Sequence, residues 1–183
     1  MSDEKFSAQN FGLYMAASHD IVTHVMSTHL RPTVDEYAMI LACAAALRSE
    51  DRSRKVGAVA LDNENRVIAT AYNGLPTGWD VEDDWWRNDE QRRKFVVHAE
   101  SNLCSLTHRG AVKTVACTTI PCGPCALNLI AHGVRRVVYG VTYPRDMAGM
   151  EILDEYGVEL VHIPLTQIKS YVARLTDSHE LPG

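Results

Sequence analysis

Several things are missing from this 183-residue chain. It has no excess of positive charge. The formal net charge is −5, so no global basic field draws it to nucleic acid or anionic lipid. It has no long apolar run either: the longest, Tyr37–Leu47, falls far short of the ~20 residues that cross a bilayer. The first ten residues carry Asp3, Glu4 and Lys5 and no apolar stretch, so no secretory signal is expected. Internal repeats and low-complexity segments are absent. An even cysteine count is absent as well. The five cysteines, Cys43, Cys104, Cys117, Cys122 and Cys125, suit a reducing cytoplasm better than a disulfide framework. What is present is ordinary globular composition, 46% hydrophobic and 22% charged. The length predicts one domain over 1–183, with 1–30 as an extension of no assigned role.

Local patterns predict a succession of short elements. A loose helix is allowed around Leu13 to Met26. Thr33 followed by Glu36 is a capping box, so a helix starts near Val34 and runs through Leu47. Its apolar residues fall on all faces, which predicts burial nearly all round, Cys43 included. Val56–Leu61 and Arg66–Tyr72 read as a hairpin whose turn, Asp62 to Asn65, lacks the usual glycine. The charged stretch Trp79 to Lys94 holds all three tryptophans and reads as a long loop or an exposed helix. Helices are predicted over Ala99–His108, Gly123–His132, Met147–Tyr156 and Leu165–Leu175. Strands are predicted over Lys113–Thr118, Arg135–Val141 and Val158–Ile163. A leading hairpin followed by strand–helix alternation implies an α/β fold, a three-layer α-β-α sandwich around a mixed, about five-stranded sheet.

The chemistry concentrates in His98-Ala-Glu100 and, 24 positions after the histidine, Cys122-Gly-Pro-Cys125. Two cysteines and one histidine supply three ligands to tetrahedral zinc and leave the fourth position for water, the arrangement of a catalytic rather than a structural site. His98 precedes one predicted helix and Cys122 opens another. Helix N-termini carry partial positive charge, which favours thiolate and hence metal binding. Glu100, two residues from a ligand, is placed to shuttle a proton. Two other readings stand beside this one. Cys-x-x-Cys is also a redox motif, but that leaves His-Ala-Glu unexplained. A structural zinc needs a fourth ligand, for which Cys104 and Cys117 are the candidates. His19, His24 and His29 recur every five residues, share no helix face and read as solvated or capping residues.

His-x-Glu with Pro-Cys-x-x-Cys is the signature of zinc-dependent nucleobase deaminases. Within that group the chain resembles the deoxycytidylate (dCMP) deaminases from about Asp35 to Val161. The specific pieces are Arg48-Ser-Glu-Asp-Arg-Ser-Arg-Lys-Val-Gly-Ala58, Tyr72-Asn-Gly-Leu-Pro-Thr-Gly78 and Val97-His-Ala-Glu-Ser-Asn102. Gly133-Val-Arg-Arg-Val-Val-Tyr139 and Tyr143 are similar too. The resemblance implies zinc on His98, Cys122 and Cys125, with Glu100 as proton shuttle in the hydrolysis of dCMP to dUMP and ammonia, which supplies dUMP for thymidylate synthesis. It implies substrate contacts from Asn73 to the sugar, Ser53 and Arg54 to the phosphate, Ala99 and Thr119 to the base, and Tyr143 beside the nucleotide. It also implies a cytoplasmic homo-oligomer, hexamer favoured, activated by dCTP and inhibited by dTTP, with Mg2+ accompanying the regulatory nucleotide. No membrane or nucleic-acid partner is expected. Ala71 replaces the glycine usual before Tyr-Asn-Gly, in the turn associated with that regulation. Some relatives hold a second, structural zinc near the active site; here Val96 and Val97 precede His98 and no matching Cys/His set is present, so one zinc per chain is expected. The same chemistry on a 5-methyl- or 5-hydroxymethyl-dCMP, on free cytidine, or on a tRNA adenosine is the alternative.

Overall fold

The computed structural model describes residues 31–143 and 147–177. The loose helix expected near Leu13 and the three early histidines lie outside the described residues. Thr33–Ile168 form one compact unit.

Helix α1, Val34–Ala46, begins where the capping box places it. The Thr33 hydroxyl accepts from the Glu36 amide at 3.2 Å, and the Glu36 carboxylate accepts from the Thr33 amide at 2.7 Å. Such caps stabilise a helix by ~0.5–2 kcal/mol. Burial is confined to one face, carried by Ala38, Met39, Ala42 and Ala46. This corrects the expectation of all-round burial: Tyr37 and Val34 are exposed and Cys43 is only half-buried. Alanine tolerates either environment, so an apolar run does not by itself fix how many faces are buried. On the buried face, α1 lies so close to the sheet that a Cβ at Gly57 would sit 1.9 Å from the Ala42 carbonyl oxygen.

Strands β1 (Gly57–Leu61) and β2 (Val67–Tyr72) form the antiparallel hairpin. Its turn works without glycine because Asn65 takes the left-handed conformation itself, at φ 62°. The Asp62 carboxylate accepts from the Glu64 and Arg66 amides, both at 2.9 Å. Those hydrogen bonds, led by the one from Arg66, hold its carboxyl below the ordinary range. Strands β3 (Thr114–Thr119), β4 (Arg136–Val141) and β5 (Glu159–His162) complete a five-stranded sheet in the order β2-β1-β3-β4-β5. β1 pairs antiparallel with both neighbours, and β3, β4 and β5 run parallel.

The side-chain period of two sorts the strands between two cores. Ala58, Ala60, Val115, Cys117 and Val137 face one way. They pack under α3 (Ala99–Ser105), α4 (Gly123–His132) and α5 (Ala148–Glu155) through Leu103, Leu129 and Leu153. Val59, Leu61, Ala116 and Val138 face the other way, against α1 and the first turn of α6 (Leu165–Asp177). The three-layer mixed sandwich expected from the alternation is therefore present. Ala71 is a β2 residue packed into the α3–α5 core.

Two elements depart from expectation. α3 stops at Ser105 rather than His108. The Leu106 and Thr107 amides already bond three residues back, and the Thr107 hydroxyl donates to the Leu103 carbonyl at 3.1 Å, which closes the helix early. The Trp79 to Lys94 stretch is neither one loop nor one helix. It contains a 3-10 turn at Asp83–Arg87 and helix α2 at Asp89–Phe95, capped by Asn88. Trp79 and Phe95 meet edge to face at 5.0 Å, as do Trp85 and Trp86 at 5.1 Å. Only Trp86 among these rings is buried. The excursion is pinched at its base, where Gly74 and Val97 exchange backbone hydrogen bonds of 3.1 and 2.9 Å.

Candidate metal centre and nucleotide pocket

His98 is the N-cap residue of α3 and Cys122 that of α4. Pro124 in the first turn of α4 costs no hydrogen bond there, and Gly133, at φ 101°, ends the helix. Both helices lie on the same face of the sheet, so their N-termini bring histidine and cysteines together. His98 Nδ1 lies 3.4 Å from Cys122 Sγ and 3.3 Å from Cys125 Sγ. The three ligand atoms all fall within 4.8 Å of one another. Among the described residues no fourth Cys, His, Asp or Glu joins this group. Cys104 and Cys117 therefore do not complete a structural site. Cys117 is buried in the sheet core and Cys104 is half-buried on α3.

The donor chemistry suits zinc: one imidazole nitrogen and two sulfurs, with room for a fourth ligand. Hydrogen bonding from the Cys125 thiol pulls the Cys122 thiol down toward thiolate, and the same contact pushes Cys125 up. The hydrogen bond to Cys122 raises His98. Metal binding at such a site releases the protons that hold these groups together. Glu100 is buried at 4% exposure, and that burial raises its carboxyl above the ordinary range.

A cavity of about 540 Å³ opens on this cluster. Ser53, Arg54, Asn73, Ala99, Thr119 and Tyr143 line it with His98, Glu100 and Cys122. The sequence-predicted site residues thus meet at one place, with Cys125 just beneath. Arg54 stacks its guanidinium 4.2 Å from the Tyr143 ring centroid. The Asn73 side chain accepts from the Val56 amide at 2.8 Å and donates to the Arg54 carbonyl at 2.9 Å. The structure adds wall residues the sequence did not single out, chiefly Asp51 and Arg92. Asp51 adjoins the basic run that drew attention in sequence. Arg92 carried no signal beyond lying in a charged stretch.

Residues 32–141 match the model of the cytidine and deoxycytidylate deaminase zinc-binding region. The chain belongs to that family. Among relatives of this deaminase chain, the Saccharomyces cerevisiae deoxycytidylate deaminase is 34% identical over 78% of the chain. The Drosophila melanogaster probable deoxycytidylate deaminase is 31% identical over 71% of the chain and 72% of its own length. The chain spans about half the length of the yeast relative, 48%. Among solved structures, the dCMP deaminase of cyanophage S-TIM5, in complex with dCMP and dUMP, superposes with a TM-score of 0.61 at 28% identity. That match covers 74% of this chain and 100% of the phage protein.

Proposed function

We propose that this deaminase hydrolyses dCMP to dUMP and ammonia. The observation that carries the reading is a buried carboxylic acid, Glu100, next to a His98–Cys122–Cys125 cluster in a cavity with a basic side chain, Arg54, on its wall. The relatives named for deoxycytidylate add the substrate class. Zinc held by His98, Cys122 and Cys125, one ion per chain, supplies Lewis acidity that makes water nucleophilic near neutral pH. Glu100 takes one proton from the attacking water and delivers it to ring N3, then takes the second from the hydroxyl newly bonded at C4 and gives it to the amine, so that the C4–N4 bond breaks, the C4 carbonyl forms and ammonia leaves. Burial raises its carboxyl above the ordinary range, which favours the protonated form and so the return of a proton to the amine. Ala99 and Thr119 flank the base. Asn73 meets the sugar through the remaining lone pair of its Oδ1. Ser53 and Arg54 take the phosphate, with Tyr143 stacked behind Arg54.

Family membership further supports a homo-oligomer, a hexamer, with dCTP activation, dTTP inhibition and Mg2+ on the regulatory nucleotide. Light scattering and rate curves with each nucleotide test this. Ala71 lies in the core and not on an exposed turn. A cytoplasmic setting is supported by five free thiols. Among the described residues no helix is long and apolar enough to cross a membrane.

Ammonia release from dCMP, CMP, deoxycytidine, dCTP and the 5-substituted dCMPs tests the reading. dCMP should be turned over much faster than deoxycytidine. Equal rates would remove the role of the phosphate, and a preference for a 5-substituted dCMP would move the substrate assignment to it.

A further inference from the structure

Asp51 lies in the cavity wall at 2% exposure, a costly place for a carboxylate unless its oxygens are fully occupied. Its oxygens are spent in a specific way. Oδ1 accepts from the Ser53 amide at 2.8 Å and the Arg54 amide at 3.0 Å. Oδ2 accepts from Asn73 Nδ2 at 3.3 Å and from the Arg92 guanidinium at 3.2 Å. These four partners belong to three separate stretches: the turn before β1, the end of β2, and helix α2 of the excursion. All four line the same cavity as His98 and Glu100.

Arg92 is itself 15% exposed, with its second amino group on Asp89 at 2.9 Å. Its Nε is buried and has no hydrogen-bond partner among the described residues. A half-buried guanidinium whose buried Nε–H is unspent is held by its carboxylates rather than by its own preference. Without Asp51 it would lose its inner anchor.

We propose that Asp51 is a positioning residue for nucleotide binding. It ties the Ser53–Arg54 turn, Asn73 and Arg92 into one preformed wall, and so sets how tightly the nucleotide is held rather than how fast the amine leaves. The proposal rests on the function argued above and adds to it a residue that touches none of the reacting atoms. Preorganisation of this kind lowers the cost of binding, because the ordering is done before the ligand arrives.

Asp51→Asn is the decisive variant. It keeps the volume, but whichever way the amide turns, an N–H₂ group faces donors: the two backbone amides, or Asn73 and Arg92. In the zinc-loaded full chain, KM for dCMP should rise about tenfold or more while kcat stays within about threefold and zinc content is unchanged. Unchanged KM, or a rise in KM accompanied by loss of both kcat and zinc content, overturns the proposal. Arg92→Gln, at the far end of the same contact, should raise KM by about threefold or more. The double variant should then cost less than the product of the two singles, because they break one unit. Should Asp51→Asn fail to fold, an Arg92→Gln enzyme with wild-type KM overturns the proposal by itself. Wild-type protein inactive on dCMP would instead sink the function, and this inference with it. Active wild type with an unaffected Asp51→Asn enzyme sinks the inference alone.

Discussion

The zinc-ligand end of the sheet and the 75–96 excursion border the same cavity, and they hold their side chains by opposite means. His98, Glu100, Cys122 and Cys125 stand on helices whose inner faces are closed by Ala99, Leu103, Ala126 and Leu129, each 1% exposed or less. Packing fixes them. In the excursion, α2 has no buried residue at all. Its position rests on the Arg92–Asp51 ion pair and on the Trp79–Phe95 edge, while an exposed Arg52–Asp83 pair ties the preceding 3-10 turn. Geometry that must be held to fractions of an ångström sits on the packed side. Geometry that only has to greet a ligand sits on the ion-paired side.

The contrast breaks most sharply at Glu100. Glu100→Gln should keep its zinc, by metal analysis, and lose turnover by at least ~10²–10⁴-fold, the usual scale of general acid–base catalysis. Retained activity would contradict the proton-shuttle role. A middle-sized effect is expected beneath the packed side, at Gly149. A Cβ there would meet the Pro121 carbonyl oxygen at 1.8 Å, directly before the ligand Cys122. Gly149→Ala should cost about 1–3 kcal/mol in denaturant unfolding and weaken zinc retention against a chelator. Unaltered zinc retention would show that the Pro121–Cys122 backbone is not set by α5. The smallest effect belongs to the excursion's outer tie. Arg52 and Asp83 pair at 2.5 Å but are 65% and 79% exposed. Arg52→Ala should therefore change stability by no more than ~0.2–1 kcal/mol and leave kcat/KM within about twofold. A larger loss would place this pair among the structural supports.

The same division decides what was legible in the sequence. Helix α4 was readable to the residue because Pro124 and Gly133 mark its ends by their own backbone chemistry. The His98–Cys122–Cys125 cluster is legible in the sequence because metal chemistry restricts both residue type and spacing, and the structure brings those three side chains together. The end of α3 is not legible in the sequence because it depends on what the Thr107 hydroxyl does, and threonine is also compatible with continuing a helix. Burial of α1 is narrower than its apolar pattern implies, because periodicity reports which residues are apolar, not which of them pack on the sheet. Asp51 and Arg92 are 41 positions apart, and nothing local to either announces the contact. A wall built from long-range ion pairs has no period and no motif.

The hydrogen bonds between Gly74 and Val97 have a practical reach beyond local order. They close the excursion on itself one residue before His98, so the ligand's backbone is anchored upstream independently of how much chain intervenes. That makes the stretch between them a natural graft point. A shorter or longer insert with the same two ends could be exchanged there, changing what the cavity admits while leaving the metal centre's entry angle untouched.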